Sequence, residues 1–262
     1  MKYLIILFFI PINIFSQDFI QRLEDSPRHH EWKKLVNNNR EEINTFIVFP
    51  EVAKKVPVII LIHENRGLND WARSMADQIA EMGYIVLAPD LLSGTAPDGG
   101  GTTSFKNSDQ ARTAIYDLSP EKVTSDLDVV FKYGKNIDSA NGKVAVIGFC
   151  WGGSQTFKYA TNNSSISAAF VCYGTGPKNE IDYKNITAPI YGFYGGNDNR
   201  VNATIENSVS AMKKAKSFYE PVIYDGAGHG FFRAGENIDA SELNKNARTQ
   251  GLNRLKKLLS KL

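Results

Sequence analysis

A cysteine, an aspartate and a histidine stand at Cys150, Asp198 and His229, in that order and 48 and 31 residues apart. Together they have the parts of a covalent acyl-transfer relay. The imidazole assists the thiol, the carboxylate holds the imidazole in the right tautomer, and a thioester forms and is hydrolysed. Cys150 lies in Gly148-Phe149-Cys150-Trp151-Gly152, with a glycine two residues away on each side. That spacing suits a sharp strand-to-helix turn that pushes the sulfur above a sheet. The turn also sets the sulfur at a helix N-terminus, whose partial positive charge favours thiolate. A small core cysteine before a glycine turn leaves the same five letters, so the pattern depends on its surroundings.

Those surroundings narrow the choice. The chain has four histidines, and His29 and His30 fall in a polar N-terminal segment. His63 ends a strand-like run, where it can be a satisfied core residue. His229, between Gly228 and Gly230, is the one best placed to turn toward a sulfur, against the alternative of a surface loop histidine. Asp198 competes with Asn197 and with a turn role for the whole Gly195-Gly196-Asn197-Asp198 stretch. Asp225 is a reserve acid that precedes His229 too closely to orient it well. A developing oxyanion needs two backbone N–H groups. Trp151, directly after Cys150, should supply one, and the loop after the Val56–Ile62 run, at Asn65, the other.

The elements that must hold these residues alternate along the chain. Thr45–Phe49 reads as a strand, and Val56–Ile62 as a central parallel strand buried on both faces. Trp71, Met75, Ile79 and Met82 recur at helical spacing from Asp70, with Gly83 as the stop. Tyr84–Ala88 closes this first strand-helix-strand unit. Ser119-Pro120 starts a helix with an apolar stripe of Val123, Leu127, Val130 and Phe131. Val144–Phe149, Ala168–Tyr173, Ile190–Tyr194 and Pro221–Tyr224 read as further strands. Ile205–Met212 reads as a helix, and Leu243–Leu262 as another with Leu255, Leu258, Leu259 and Leu262 on one face. The pattern predicts an α/β fold, one mostly parallel sheet with helices on both faces. Ligands of such sheets gather at the C-terminal strand ends, where Cys150, Asp198 and His229 all fall. Ser93–Asp109, rich in glycine and without periodicity, is either a lid or a surface insertion.

Composition limits the partners. With 42% hydrophobic and 22% charged residues, 262 residues bury a large core. A net charge of +2 from 30 basic and 28 acidic residues gives no nucleic-acid surface. No nucleotide-binding glycine motif is present, and Cys150 with His229 lacks the further ligands of a metal site, so no cofactor is expected. Lys2 followed by an apolar stretch from Tyr3 to Phe15 reads as an export signal cut after Ser16. It is too short to span a bilayer, which needs about 20 residues. The expected mature chain is therefore a single domain over residues 17–262, periplasmic or secreted, without stable membrane insertion. Its oligomeric state stays open.

From about Ser26 onward the chain resembles the dienelactone hydrolase family of α/β-hydrolases. The matching segments are Ser26-Pro27-Arg28-His29-His30-Glu31-Trp32, His63-Glu64-Asn65-Arg66-Gly67-Leu68, Ala88-Pro89-Asp90-Leu91, Gly148-Phe149-Cys150-Trp151-Gly152-Gly153 and His229-Gly230-Phe231. The first is similar to what exported branches of the family carry. The resemblance implies the α/β-hydrolase fold and cleavage of a small ester or lactone. It implies that Glu64 sits beside the nucleophile and helps control its ionisation. It also implies that Arg233 binds a substrate carboxylate. The family's second carboxylate-binding arginine is expected after Pro89-Asp90-Leu91, where this chain continues Leu92-Ser93-Gly94. The catalytic apparatus carries over, but the lactone does not follow from it.

Two other readings remain open. One is an exported carboxylesterase for neutral acyl esters, such as those of carbohydrates, with Ser93–Asp109 as its lid. The other is a non-catalytic binding protein whose Cys150 is locked to Cys172 in a disulfide, the first reading of paired cysteines in an oxidising compartment.

Overall fold

The seven residues from Val56 to Ile62 are all buried, as a run without a polar side chain requires of a strand covered on both faces. Val58, Ile60 and Ile62 enter one core layer, and Ile59 and Leu61 the other. The computed structural model describes residues 14–37 and 39–262, with side chains from Phe19 onward. Its order begins α1 (Ile14–Glu24), β1 (His29–Val36), β2 (Glu42–Phe49), β3 (Val56–Ile62), α2 (Asp70–Glu81), β4 (Ile85–Pro89) and α3 (Ser108–Asp117). Next come α4 (Pro120–Lys135), β5 (Ala140–Phe149), α5 (Trp151–Asn162), β6 (Ala169–Cys172) and β7 (Ile190–Gly195). The chain closes with α6 (Asn199–Asn202), α7 (Ile205–Lys214), β8 (Tyr219–Tyr224), α8 (Phe231–Ala234) and α9 (Glu242–Leu259).

Among the described residues eight strands form one sheet in the order β1-β2-β4-β3-β5-β6-β7-β8. All neighbours from β4 to β8 are parallel, while β1 and β2 join antiparallel at one edge. Residues of α4, α5 and α7 fill the layer on one face. Residues of α2, α8 and α9 fill the other, where Leu255, Leu258 and Leu259 are buried and Leu262 packs against them. The α/β reading with helices on both faces therefore holds. Ser119 caps α4 through Lys122 N–H, with Pro120 in the first turn, as its sequence suggested.

Two elements differ from the sequence reading. The polar stretch around His29 and His30 is β1, an edge strand with its outer face open to solvent. The end of the Ser93–Asp109 stretch begins α3, whose buried side chains are only Ala111 and Ile115, too few to register as a stripe. Within that stretch Asp90 accepts from the N–H and the hydroxyl of Thr102, both at 2.7 Å. Thr102 in turn accepts from Leu68 N–H at 2.9 Å, so the segment is tied to the β3 and β4 ends. The expected export signal lies, up to residue 13, outside the described residues. The expected cut after Ser16 falls within α1.

The Ser26–Trp32 segment has a physical reason in this fold. Asp77 on α2 is fully buried and accepts from Ser26 Oγ at 2.7 Å and from Arg28 Nε and Nη2 at 2.8 and 2.7 Å. His30 Nε2 lies 2.9 Å from the same carboxylate. Burial alone would raise the Asp77 pKa, but donation from Arg28, Ser26 and His30 holds it below the ordinary value. This clamp fastens the edge strand to the helix layer. Asp77→Ala should cost about 3–5 kcal/mol in urea unfolding, because Arg28 keeps its charge without a partner. A loss under about 1 kcal/mol would contradict the clamp. With a depressed carboxylate pKa, its contribution is present above pH ~4 and lost as pH falls through the depressed value.

Candidate active site

Cys150 occupies the turn between β5 and α5 with φ 57° and ψ −114°, a conformation that L-residues rarely adopt. Two glycines permit it. A Cβ at Gly148 would lie 2.1 Å from the Gly152 carbonyl oxygen, and one at Gly152 would lie 2.3 Å from the carbonyls of Ile62 and His63. The helix thus starts against the end of β3, and the sulfur is raised over the sheet edge. His229 Nε2 is 3.1 Å from the sulfur, and His229 Nδ1 is 2.5 Å from Asp198 Oδ2. Asp198 is buried, and its other oxygen accepts from Val201 N–H at 3.4 Å in the first turn of α6. The rivals for its place are occupied elsewhere. Asn197 bonds the Gly226 carbonyl at 2.9 Å, and Asp225 faces solvent.

The backbone N–H groups of Trp151 and Asn65 face the Cys150 sulfur and favour its ionised form. A carbonyl oxygen on that sulfur would find two donors already aimed at it. Cys172 lies beside Phe149 in register and is buried in the same core layer, while Cys150 is partly buried and packs against that layer from the turn. Both thiols are free, so the bridge that the sequence allowed is not formed. Among the described residues no group of three or more His, Cys, Asp or Glu could hold a metal ion.

Residues 43–262 match the family model described as the dienelactone hydrolase family. The chain belongs to that family. It is 29% identical over 201 residues to the "Putative carboxymethylenebutenolidase" of Methylorubrum extorquens, covering 72% of this chain and 68% of the relative. It is 30% identical over 187 residues to the protein of the same name in Escherichia coli K12, covering 67% and 68%. Its fold is similar to that of a "Putative Dienelactone Hydrolase" from Klebsiella pneumoniae, at TM-score 0.77 and 22% identity, over 90% of this chain and 99% of the other. It is also similar to a dienelactone hydrolase-like promiscuous phosphotriesterase from metagenomic libraries, at TM-score 0.72 and 20% identity, over 89% and 98%. Membership makes the chain an enzyme, a hydrolase of the carboxylic ester type.

In this member of the family the remaining sequence candidates meet at the same mouth. Glu64 is buried and receives Arg233 Nε at 2.8 Å and the Tyr173 hydroxyl at 3.3 Å. Arg233 is held more firmly protonated, mainly by the Glu64 charge. Tyr173, at the end of β6, also sets its ring edge-on to His229 at 5.1 Å. The same search of strand ends that found Cys150 would have found Tyr173. Arg200, two residues after Asp198, draws the thiol toward ionisation and also escaped the sequence reading.

The arginine expected after Pro89-Asp90-Leu91 is absent, and a different element lies over the Asn65 loop. None follows Leu91 directly, yet α3 brings two side chains back to this rim. Tyr116 accepts from Asn65 Nδ2 at 3.2 Å, and the Arg112 guanidinium lies 6.0 Å from its ring centre. Arg66 reaches Ser108 at the start of α3 at 3.3 Å. Ile115 and Ala111 pack with Trp151, so α3 roofs the loop that carries Asn65.

The expected thiolate is also overturned. Burial first, and the Glu64 charge second, push the Cys150 thiol up to about 11, against the pull of Trp151 N–H, Arg200 and Asn65 N–H. The thiol form places its proton on the 3.1 Å line between the sulfur and His229 Nε2. Iodoacetamide alkylation of Cys150 against pH should show a midpoint near 11. Glu64→Gln should move it downward, because a like charge is removed. A wild-type midpoint at or below the free-cysteine value of about 8.5 would contradict this.

Proposed function

We propose that the chain is an exported cysteine hydrolase of small, carboxylate-bearing esters or lactones, working through Cys150, His229 and Asp198. One observation carries the reading: the continuous line from sulfur through imidazole to carboxylate, with contacts of 3.1 and 2.5 Å. The substrate carbonyl carbon meets the sulfur while its oxygen lies between Trp151 and Asn65 N–H. As the C–S bond forms, His229 Nε2 takes the thiol proton, and Asp198 stabilises the imidazolium. Collapse of the tetrahedral intermediate breaks the C–O bond, and the leaving oxygen takes that proton. Water then gives a proton to His229 and attacks the thioester. The acid departs, and the sulfur recovers its proton.

The rim cations support an anionic substrate. Arg233 commits Nε to Glu64 while 44% of its side chain stays exposed. Arg200 acts on the sulfur itself, while Arg66 binds Ser108 and Arg112 lies beside Tyr116, the side chain that Asn65 contacts. The relatives named carboxymethylenebutenolidase agree with a lactone that bears a carboxylate. Export rests on Lys2 and the apolar stretch after it, and no described helix is long and apolar enough to cross a membrane. The mature protein should appear in a periplasmic or culture fraction.

With reductant present, Cys150→Ala should lower p-nitrophenyl acetate hydrolysis at least about 10³-fold, and near-wild-type turnover would sink the reading. Arg112→Gln should raise KM for a carboxylate-bearing aryl ester about 10-fold, leaving p-nitrophenyl acetate within about 2-fold. Equal effects on both esters would remove Arg112 from substrate binding.

A further inference from the structure

His63 has no part in the relay, yet it touches both donors that face the sulfur. It follows β3 directly and has no exposed surface. Leu91 N–H points at its Nε2 at 3.2 Å, and its Nδ1 lies 2.8 Å from the Glu64 carbonyl oxygen. A nitrogen that receives an N–H cannot carry a proton. His63 is therefore the neutral tautomer with hydrogen on Nδ1, donating to Glu64. Burial favours that neutral form, lowering its pKa against the opposing pull of Asp90.

The carbonyl of Glu64 and the N–H of Asn65 belong to one planar peptide. A hydrogen bond to the oxygen fixes the rotation of that plane and so the direction of the N–H. It also draws electron density toward the oxygen, which makes the N–H a stronger donor. That N–H is one of the two that favour the ionised Cys150 sulfur. The second comes from Trp151, whose ring lies against the His63 ring with centroids 5.7 Å apart and planes 15° from parallel. Leu91 completes the frame, since it anchors the imidazole to the end of β4.

We infer that His63 is a positioning residue for the oxyanion hole, holding the Glu64–Asn65 peptide through Nδ1–H and Trp151 through its ring face. The inference rests on the reading of Cys150 as nucleophile. A tetrahedral oxyanion draws on these donors more than a thiolate or a ground-state carbonyl does, so the effect on turnover exceeds the effects on thiol reactivity and on binding.

The test compares His63→Phe, which keeps a ring but loses both hydrogen bonds, with His63→Gln, whose amide can donate to Glu64 and accept from Leu91. Kinetics with p-nitrophenyl acetate, inhibition by an aryl trifluoromethyl ketone and alkylation by iodoacetamide are measured on each folded protein. His63→Phe should lower kcat about 10- to 100-fold, less than the roughly 10²–10³ for outright loss of a donor. Trifluoromethyl ketone affinity should fall by about the same factor, because its adduct carries an oxyanion. KM should stay within about 2-fold, the alkylation rate should fall by a smaller factor than kcat, and His63→Gln should recover most of the loss. If His63→Phe does not fold, His63→Leu is read in the same way. Unchanged kcat, or equal losses in alkylation and turnover, would overturn the inference. Failure of the underlying reading is separate, because Cys150→Ala would then retain turnover whatever stands at position 63.

Discussion

The site depends on one backbone conformation, the φ of 57° and ψ of −114° at Cys150. A non-glycine residue there costs roughly 1–3 kcal/mol and persists only where the surroundings over-determine it. They do so from both sides. Cys150 N–H is bonded to the Cys172 carbonyl at 3.0 Å, and its own carbonyl accepts from Ser154 N–H at 3.2 Å. Gly148 and Gly152 let the start of α5 and the end of β3 approach within backbone contact. From that contact follow the height of the sulfur, the direction of the Trp151 N–H and the meeting with the Asn65 loop. The parallel sheet supplies the rest by placing the loops after β7 and β8 on the same rim.

Electrostatics around the sulfur oppose one another, and the balance sets the resting state. Helix N-terminus, two N–H donors and Arg200 favour the thiolate, while burial and the adjacent Glu64 favour the thiol, and the second set prevails. A protonated sulfur is a poor nucleophile until His229 accepts its proton, so attack and proton transfer are coupled. The same balance guards the thiol against oxidation and disulfide exchange, which require the thiolate. Arg233 pairs with the buried Glu64, which links the rim that faces substrate to the carboxylate beside the sulfur.

Residues at strand ends were legible in the sequence. Apolar runs located the buried strands, and chemistry of parallel sheets sits directly after them, which exposed Cys150, Asp198, His229 and Asn65, while Glu64 came from the family resemblance. What escaped has a physical reason in each case. Strand β1 is an edge with charged side chains, and half of its meaning lies in Asp77, far away in sequence. Helix α3 buries two small contacts on Trp151, so no stripe announced it, and Arg112 and Tyr116 went unseen with it. The thiolate expectation failed because the helix effect is local, whereas the burial and the Glu64 charge arise only when β3 and β5 are adjacent.

The central claim is that turnover passes through an acyl group on the Cys150 sulfur. Rapid acid quench of the reductant-treated enzyme with a carboxylate-bearing p-nitrophenyl ester, followed by intact-mass and peptide mass spectrometry, tests it directly. The account expects up to one acyl group per chain, carried on the peptide containing Cys150 and released by hydroxylamine. Turnover continuing with no adduct at any quench time, or an adduct confined to another residue, would contradict it.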